Sequence, residues 1–407
     1  MCTKENFIEK FGTWSSGNTN IDEIIKESQI NNPLYFLQWI PYDNFHDIKH
    51  IADSEYYTLH SAGLRNKMIE ELLWDYCGAV VLKELKDYKY DILEIIKAIK
   101  NIIVYSGNIT SIFGISKNPS TQNYIIVMDS HDDTVHSLLF DFFLKIAWHT
   151  MIMLLDYVID GLHALHENNL VHCNLHSRNI LIKDRKSLIA SVDPGLFKLG
   201  NDLISNSDNK KNFVYGSIPY IPPEVLRGNE FTKEGDIYSF GGIMYEVATG
   251  NQPFSDQAHD TYLIIDICNG VRPKVPDIIL NWIPKCYLDK MYQCWDDDPS
   301  KRPTTSELTN YLWSIFRELE ANDKRKIMNK SHEQKLLRSL HKFHPQSCYI
   351  SRHIYTLYEL QDSLEDIKSG KCADPNLYTY DMNSKDSTKY IDLETNLKKK
   401  TNLIFLL

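Results

Sequence analysis

The sequence predicts an α+β protein with a small β-rich lobe followed by a larger helical lobe. Before about residue 130 the apolar side chains come in short runs that are typical of strands. After about residue 135 they recur every three or four positions, as in amphipathic helices. Hydrophobic residues make up 43% of the 407 positions, which is enough for a sizeable core. We therefore expect one folded unit of two lobes, with extensions at both ends.

The first lobe is predicted over residues 40–130. It should contain one helix, over Tyr90–Lys100, among strands. Residues 1–39 precede it as an N-terminal extension whose short amphipathic segment, Ile21–Ile30, is expected to pack on this lobe. The strand-like runs are Ala79–Leu82, Ile102–Val104 and Tyr124–Met128.

The second lobe is predicted over residues 131–316. Apolar residues recur with helical spacing in Ile152–Leu162 and again in Ile237–Val247, so a helix is expected at each place. Residues 317–407 begin basic and turn polar, which predicts a mostly flexible C-terminal tail with a helix around Glu333–Leu340.

Charge and cysteine usage narrow the class of protein. The 54 acidic and 44 basic side chains leave a formal charge of −10, which argues against nucleic-acid binding. The eight cysteines are scattered without a CxxC pair, which favours reduced thiols over a zinc site or a disulfide framework. No signal-peptide run or bilayer-length apolar stretch is present. These features predict a cytoplasmic protein without a transmembrane segment, and they do not exclude the nucleus.

The residues that carry chemistry are concentrated between positions 171 and 196. A polar loop, His172–Asn179, follows a predicted helix, and a short apolar run separates it from a second loop headed by Asp193. Asn179 and Asp193 offer the hard oxygen ligands that Mg²⁺ requires. Taken singly, each is more often an ordinary loop residue.

Taken together, these loops resemble those of the protein kinase family. His172–Asn179 is similar to the catalytic loop H-R-D-L-x-x-x-N, and Asp193–Gly195 is similar to D-F-G. Pro222–Glu224 stands where A-P-E is expected. The resemblance covers roughly residues 40–316 and looks nearest to the tyrosine-kinase-like Ser/Thr branch of the kind expanded in some fungi, with degraded catalytic motifs.

This resemblance implies a bilobal protein-kinase-like fold and a set of structural residues. His172 would be the structural histidine of the catalytic loop. Asp236 would lie on the helix that supports this loop, and Arg302 would pair with Glu224 at the end of the activation segment.

The resemblance also implies a site for ATP and Mg²⁺. Lys83 resembles the strand lysine that holds the α and β phosphates, and Glu94 resembles its partner on a helix, although the two lie unusually close in sequence. The gatekeeper and the hinge, which would bind adenine through backbone groups, fall at Met128, Asp129, Ser130 and His131.

The first departure from the family pattern is in the loop that should cover the phosphates. Kinases use G-x-G-x-x-G there, because only glycine lets the backbone approach a phosphate closely. Ala52, Ser54 and Tyr57 stand at the three glycine positions, and Asp53 and Glu55 add negative charge. This loop is predicted to hold ATP poorly.

The second departure is in the catalytic motifs themselves. Asn174 stands where the catalytic aspartate belongs, and an amide cannot accept the proton of a substrate hydroxyl. Cys173 replaces the neighbouring arginine, and Pro194 replaces the phenylalanine of D-F-G.

Two functions are consistent with these departures. The favoured one is a pseudokinase, a signalling protein that acts on protein partners as a scaffold or allosteric partner with weak or no phosphoryl transfer. The alternative is a slow but active kinase that uses ATP and Mg²⁺ to phosphorylate Ser/Thr, or Tyr, hydroxyls of protein substrates. A kinase fold with a different ligand is a third option that no residue specifies.

Overall fold

The protein forms two compact units. The computed structural model describes residues 11–31, 36–54, 57–65, 78–86, 92–102, 107–183, 188–193, 198–199, 214–280, 282–321 and 343–378. The described residues of the β-rich unit lie in Met1–Lys100 and Ser111–Ser130, and the helical unit is formed by Asn101–Thr110 and His131–Tyr378. This division into a β-rich N-terminal sheet and a helical C-terminal part confirms the predicted α+β class.

A six-stranded sheet forms the β-rich unit. Its strand order is β1-β5-β6-β4-β3-β2; β1 pairs with β5 in parallel and the other pairs are antiparallel. One face carries the apolar core, in which Val80, Leu82 and Val127 are buried. The strands are β1 (Gln38–Trp39), β2 (Phe45–Asp53), β3 (Tyr57–Leu64), β4 (Ala79–Leu85), β5 (Ile112–Lys117) and β6 (Tyr124–Asp129).

Two helices accompany this sheet, α1 (Thr19–Asn31) and α2 (Ile92–Ile102). The helix predicted over Tyr90–Lys100 is therefore present, but it includes Ile102, which the sequence assigned to a strand-like run. An apolar run of two or three residues fits either structure, and here it completes the buried face of α2.

The helical unit is built around two long helices, α4 and α6. Apolar spacing predicted both, and Ile152, Leu155 and Phe240 are fully or almost fully buried. Helix α6 begins at an N-cap, Thr232, and ends at Gly250, whose φ of 72° suits glycine. The helices up to the tail are α3 (Val135–Phe142), α4 (Trp148–Glu167), α5 (Pro223–Leu226), α6 (Lys233–Thr249), α7 (Thr261–Cys268), α8 (Asp277–Leu280), α9 (Lys285–Cys294) and α10 (Thr305–Ala321).

Short strands position the loops of the helical unit. Strand β9 lies between β10 and β7, β8 pairs with β11, and β12 pairs with β13 from the C-terminal tail. The strands are β7 (Asp133–Thr134), β8 (Leu170–Val171), β9 (Ile180–Ile182), β10 (Ala190–Val192), β11 (Lys198–Leu199), β12 (Val214–Gly216) and β13 (Arg352–Ile354).

Part of the C-terminal tail, which the sequence predicts to be mostly flexible over residues 317–407, has a defined structure. Helix α10 continues to Ala321, and residues 343–378 pack onto the helical unit with β13 and a short helix, α11 (Leu364–Lys368). Apolar side chains of this segment, such as Ile354, Leu360 and Ile367, are buried, and their burial supplies the free energy that orders it. The helix predicted around Glu333–Leu340 lies outside the described residues.

Two sequence-based expectations can be compared with the described residues. No helix among them is long and apolar enough to cross a bilayer. The six cysteines among them are free thiols, and Cys2 and Cys77 lie outside the described part of the chain.

Candidate functional site

Asp236, in the first turn of α6, holds the loop that begins at His172. Its carboxylate is almost fully buried and accepts hydrogen bonds from the backbone N–H of His172 (2.8 Å) and of Cys173 (3.0 Å). The Nε2 atom of His166 lies 2.9 Å from the same carboxylate. These donors compensate the burial of the charge and hold Cys173 at a φ of 65°, an uncommon value for a residue with a side chain. These contacts connect the start of α6 to the loop that begins at His172.

His172 joins this loop to the Asp193 loop. Its Nε2 donates to the backbone oxygen of Asp193 (2.7 Å), and its Nδ1 accepts from the backbone N–H of Asn174 (3.3 Å). One neutral tautomer satisfies both contacts. The side chain is completely buried, so it acts as a structural link.

Asn179 and Asp193, the two predicted metal ligands, lie close together. The side-chain Nδ2 of Asn179 donates to the backbone oxygen of Asn174 (2.8 Å), and the backbone N–H of Asp193 donates to the backbone oxygen of Asn179 (2.9 Å). Because this hydrogen bond fixes the orientation of the amide, Oδ1 is the atom of Asn179 that could bind a metal ion. Two protein oxygens suit Mg²⁺, which completes its shell with water and phosphate oxygens. The described residues contain no cluster of three His, Cys, Asp or Glu side chains for a protein-only metal site.

Asn174, which the resemblance places at the position of the catalytic base, contacts a residue of the C-terminal tail. Its Oδ1 accepts a hydrogen bond from the hydroxyl of Ser351 (3.1 Å), and the Nε2 of His176 lies 3.1 Å from the same hydroxyl oxygen. Burial lowers the pKa of His176 to about 3, so the ring is neutral near pH 7. The Nε2–H of His176 therefore donates to Ser351, and Ser351 donates to Asn174.

The resemblance to the fungal kinases takes in Tyr349–Arg352, but the contact of Ser351 with Asn174 was missed because the tail was predicted to be mostly flexible. A signal was present in the run Cys348–Thr356, which is rich in the aromatic and β-branched residues that favour strands. That run could have predicted a strand, but not the surface on which it would pair.

The pair between Arg302 and Glu224 is present as the resemblance implies. Two nitrogens of the guanidinium donate to the two carboxylate oxygens, at 2.6 and 2.8 Å. Both side chains are buried, and Arg302 also donates to the backbone oxygens of Asp296 (2.9 Å) and Glu234 (3.0 Å). A buried bidentate pair of this kind fixes the segment that precedes α6.

Lys83 and Glu94, within the β-rich unit, are each present in the expected type of element. Lys83 lies on β4 with 1% of its surface exposed, and its Nζ atom is 4.9 Å from the centre of the Tyr57 ring. Glu94 lies on α2, where its carboxylate accepts a hydrogen bond from Lys97 at 2.5 Å. The structure therefore gives Glu94 a partner one helical turn away, and not Lys83 as the resemblance implies.

The predicted phosphate-covering loop is a tight hairpin between β2 and β3. Ala52 pairs with Leu59, and the backbone N–H of Ser54 donates to the backbone oxygen of Tyr57 (2.8 Å). The Ser54 hydroxyl oxygen accepts from the backbone N–H of Tyr57 (3.1 Å). These bonds use backbone groups that a phosphate-binding loop would direct at its ligand.

The same hairpin carries negative charge. Burial alone would raise the pKa of Asp53, but hydrogen bonds from Thr58 and His50 lower it below its usual value. Asp53 is therefore ionised at neutral pH. Glu55 lies outside the described residues.

The predicted gatekeeper and hinge residues lie at the end of β6 and just beyond it. Met128 is buried and pairs with Val81, and the backbone N–H of Asp129 donates to the backbone oxygen of Ser111 (2.9 Å). In the helical unit, the Nε2 of His131 lies 3.0 Å from the hydroxyl of Ser191.

Comparison with known proteins identifies the family. Residues 73–312 match the family described as "Protein tyrosine and serine/threonine kinase". This match covers more than half of the chain, so the protein belongs to the protein kinase family. Kinases of this family use ATP and Mg²⁺ and act on protein substrates or partners in signalling.

Individual relatives agree with this assignment. The chain is 29% identical over 208 residues to a protein kinase and PP2C-like domain-containing protein of Arabidopsis thaliana, covering 44% of this chain and 31% of the relative. It is 33% identical over 170 residues to the dual specificity protein kinase shkE of Dictyostelium discoideum, covering 41% and 22%. It is 26% identical over 230 residues to the mouse (Mus musculus) receptor-interacting serine/threonine-protein kinase 4, covering 55% and 29%. The chain thus spans less than a third of the length of each relative.

Proposed function

We propose that this protein is a pseudokinase, a kinase-fold signalling module with weak or no phosphoryl transfer that acts as a scaffold or allosteric partner. The observation that carries the proposal is Asn174 at the base position, with Oδ1 accepting a hydrogen bond from a hydroxyl. An amide oxygen can orient a hydroxyl in this way, but it cannot take the proton. General-base assistance is worth roughly 10²–10⁴ in rate, and this part of catalysis is absent.

The β-rich unit supports the same proposal. The hairpin that should cover the phosphates closes on itself through Ser54, and Asp53 repels a polyphosphate. The Tyr57 ring lies 4.9 Å from Nζ of Lys83 and interacts with its ammonium group. A phosphate that binds Lys83 would have to replace this interaction. Weak ATP binding is expected from these contacts.

The scaffold of the helical unit is intact where the catalytic features are altered. Asp236 and the buried pair Arg302–Glu224 hold the loops that a kinase needs for its shape. Two further assignments belong to the same proposal. The motifs favour the tyrosine-kinase-like branch, and the sequence features described above favour the cytoplasm. A folded module with altered catalytic groups is suited to binding protein partners.

A phosphoryl-transfer assay tests the proposal. Purified full-length chain would be incubated with radiolabelled ATP, Mg²⁺ and a general protein substrate, beside the Asn174→Asp and Asp193→Ala variants. We expect the wild type to match Asp193→Ala, which lacks a metal ligand, and Asn174→Asp to exceed both by tenfold or more, in line with the value of a general base. Robust transfer by the wild type that Asp193→Ala abolishes would overturn the proposal and favour the slow-kinase alternative, for which Lys83, Asn179 and Asp193 are retained.

Nucleotide binding can be measured separately from turnover. A thermal-shift titration with ATP, Mg²⁺ and both together should give a small rise in melting temperature, because any ligand that binds the native state stabilises it. A shift typical of micromolar affinity would contradict the weak-binding part of the proposal.

A further inference from the structure

The C-terminal tail pairs with a strand that lies within the activation segment, shortly before Pro222–Glu224. Strand β13, Arg352–Ile354, runs antiparallel to β12, Val214–Gly216, and we call them the tail strand and the acceptor strand. Gly216 lies opposite Arg352, and Val214 lies opposite Ile354. The acceptor strand passes beside Asn174, since a Cβ atom added at Gly216 would lie 3.5 Å from Oδ1 of Asn174.

Ser351 comes immediately before the tail strand and reaches the base position. Its hydroxyl donates to Asn174 and accepts from His176, both at 3.1 Å. In a kinase, the residue at the position of Asn174 meets the hydroxyl that is to be phosphorylated. Ser351 therefore takes the position of an acceptor hydroxyl, and Arg352–Ile354 takes the positions of the three residues after it.

The segment around Ser351 is held on both sides. Before it, the Tyr349 hydroxyl donates to the backbone oxygen of Pro253 (2.8 Å), and the ring is buried. After it, the Arg352 guanidinium donates to the backbone oxygens of Asn376 (2.6 Å) and His259 (3.2 Å), and Ile354 is 0% exposed. These contacts anchor an extended peptide on a specific surface.

We propose that Ser351–Ile354 is an intramolecular pseudosubstrate. Asn174 and the acceptor strand form a binding site for an extended peptide. Such a peptide has a hydroxyl residue, a basic residue immediately after it, and an apolar residue three positions after the hydroxyl residue. The chain's own tail fills that site. The inference rests on the proposed function in one respect, namely that Asn174 holds the hydroxyl without deprotonating it.

The energetics of strand addition explain why the tail would exclude other peptides. Main-chain hydrogen bonds give an added strand its affinity, and side-chain pockets give it specificity. A tethered segment competes at an effective concentration that reaches the millimolar range for short linkers. A free peptide of the same sequence therefore binds the intact chain much more weakly than a chain whose tail strand is released.

A peptide-binding experiment tests this inference on the full-length chain. The probe is a fluorescein-labelled peptide of residues 346–358 with Cys348→Ala, followed by anisotropy. Ile354→Asp should release the tail strand, because a carboxylate cannot be buried unpaired at this position. His353→Pro removes a backbone N–H from the strand and serves as a second release variant if Ile354→Asp fails to fold. Tyr358→Asp is the matched control, since Tyr358 is 68% exposed.

The expected result is that the release variants bind the probe about 100-fold more tightly than the wild type and Tyr358→Asp, as a tethered competitor predicts. A probe with Ser351→Ala should bind the release variants about tenfold more weakly, because two hydrogen bonds are lost. Hydrogen exchange should show protected amides in Arg352–Ile354 of the wild type and loss of this protection in the release variants.

Equal binding by the wild type and the release variants, or no binding by any of them, would overturn the inference. Neither outcome bears on the pseudokinase proposal, since the measurement needs no ATP. Conversely, if a release variant binds the probe and also phosphorylates it with ATP, the occupation of the peptide site by the tail stands. The pseudokinase proposal then fails, and with it the part of the inference in which Asn174 does not deprotonate the hydroxyl.

Discussion

At the scale of single residues, the ring of Tyr57 lies against the ammonium group of Lys83, which under the proposed function is the group that would meet a phosphate. A cation–π contact with a largely desolvated ammonium group is worth about 1–2 kcal/mol, or about a tenfold change in an equilibrium constant. Tyr57→Ala should therefore raise the affinity for MgATP by about tenfold. Tyr57→Phe keeps the ring and should leave the affinity within about twofold of the wild type. Isothermal titration calorimetry measures both, and equal affinities for Tyr57→Ala and the wild type would show that the ring does not restrict Lys83.

The residues of the helical unit illustrate which contacts the sequence could predict. Asp236, His172 and Arg302 were predicted because a dense set of ordered motifs restricts each of them to one role. The contact between Ser351 and Asn174 joins residues 177 positions apart, and no local pattern specifies it. In the β-rich unit, the pairing of Lys83 with Glu94 was predicted from the kinase resemblance of two short runs, whereas the carboxylate of Glu94 accepts a hydrogen bond from Lys97, one helical turn away.

At the scale of elements, helix α1 is an integral part of the β-rich unit. Its start is fixed by Asp22, whose carboxylate accepts hydrogen bonds from the hydroxyl of Ser15 (2.6 Å) and the backbone N–H of Ser16 (2.8 Å). Its polar face is tied to α2 by an ion pair between Glu27 and Lys100, at 2.8 Å. The amphipathic pattern predicted that this segment packs on the rest of the chain, but it could not predict these partners.

Removing a buried side chain of α1 measures how much this packing stabilises the unit. Ile25 is completely buried, so Ile25→Ala should lower the free energy of unfolding by about 2–5 kcal/mol through lost burial and a residual cavity. Glu23→Ala, at an exposed position of the same helix, should change it by less than about 0.5 kcal/mol. Urea unfolding followed by tryptophan fluorescence compares the two, and similar stabilities would mean that α1 does not contribute to the core.

The elements of the tail have a comparable role in the helical unit. Asp374 accepts hydrogen bonds from the hydroxyl (2.6 Å) and the backbone N–H (2.8 Å) of Thr261, in the first turn of α7. Asn376 is buried and bonds to Thr261 (3.0 Å) and, through two bonds of 2.9 Å, to the backbone of Tyr355. The hydrophobic periodicity of the sequence could not predict this arrangement. In a sequence, an Asp or Asn that caps or bridges other elements cannot be distinguished from one that is exposed to solvent.

At the scale of the whole molecule, buried histidine couples stability to pH. Burial lowers the pKa of His176 from 6.5 to about 3. When the pH falls below 6.5, the unfolded chain therefore binds a proton before the native state does. The contribution of the neutral ring is complete above about pH 6.5 and is lost as the pH falls toward 3. Asp156 acts in the opposite direction, because burial raises the pKa of its carboxyl to about 6, so the native state takes up that proton first.

Comparing the wild type with His176→Asn isolates the effect of the histidine, because both chains contain opposing groups such as Asp156. Between pH 7 and pH 5 the wild type should lose about 2 kcal/mol more of its free energy of unfolding than His176→Asn does, since an amide does not titrate. His176→Asn should be the less stable chain at pH 7, because its shorter side chain loses the bond to Ser351. Urea unfolding at half-unit pH intervals measures the two slopes, with His176→Gln as a second neutral variant. If the free energies of unfolding of the two chains fall in parallel with pH, the pKa of His176 is not lowered in the native state. The proposed dependence of stability on this histidine would then be wrong.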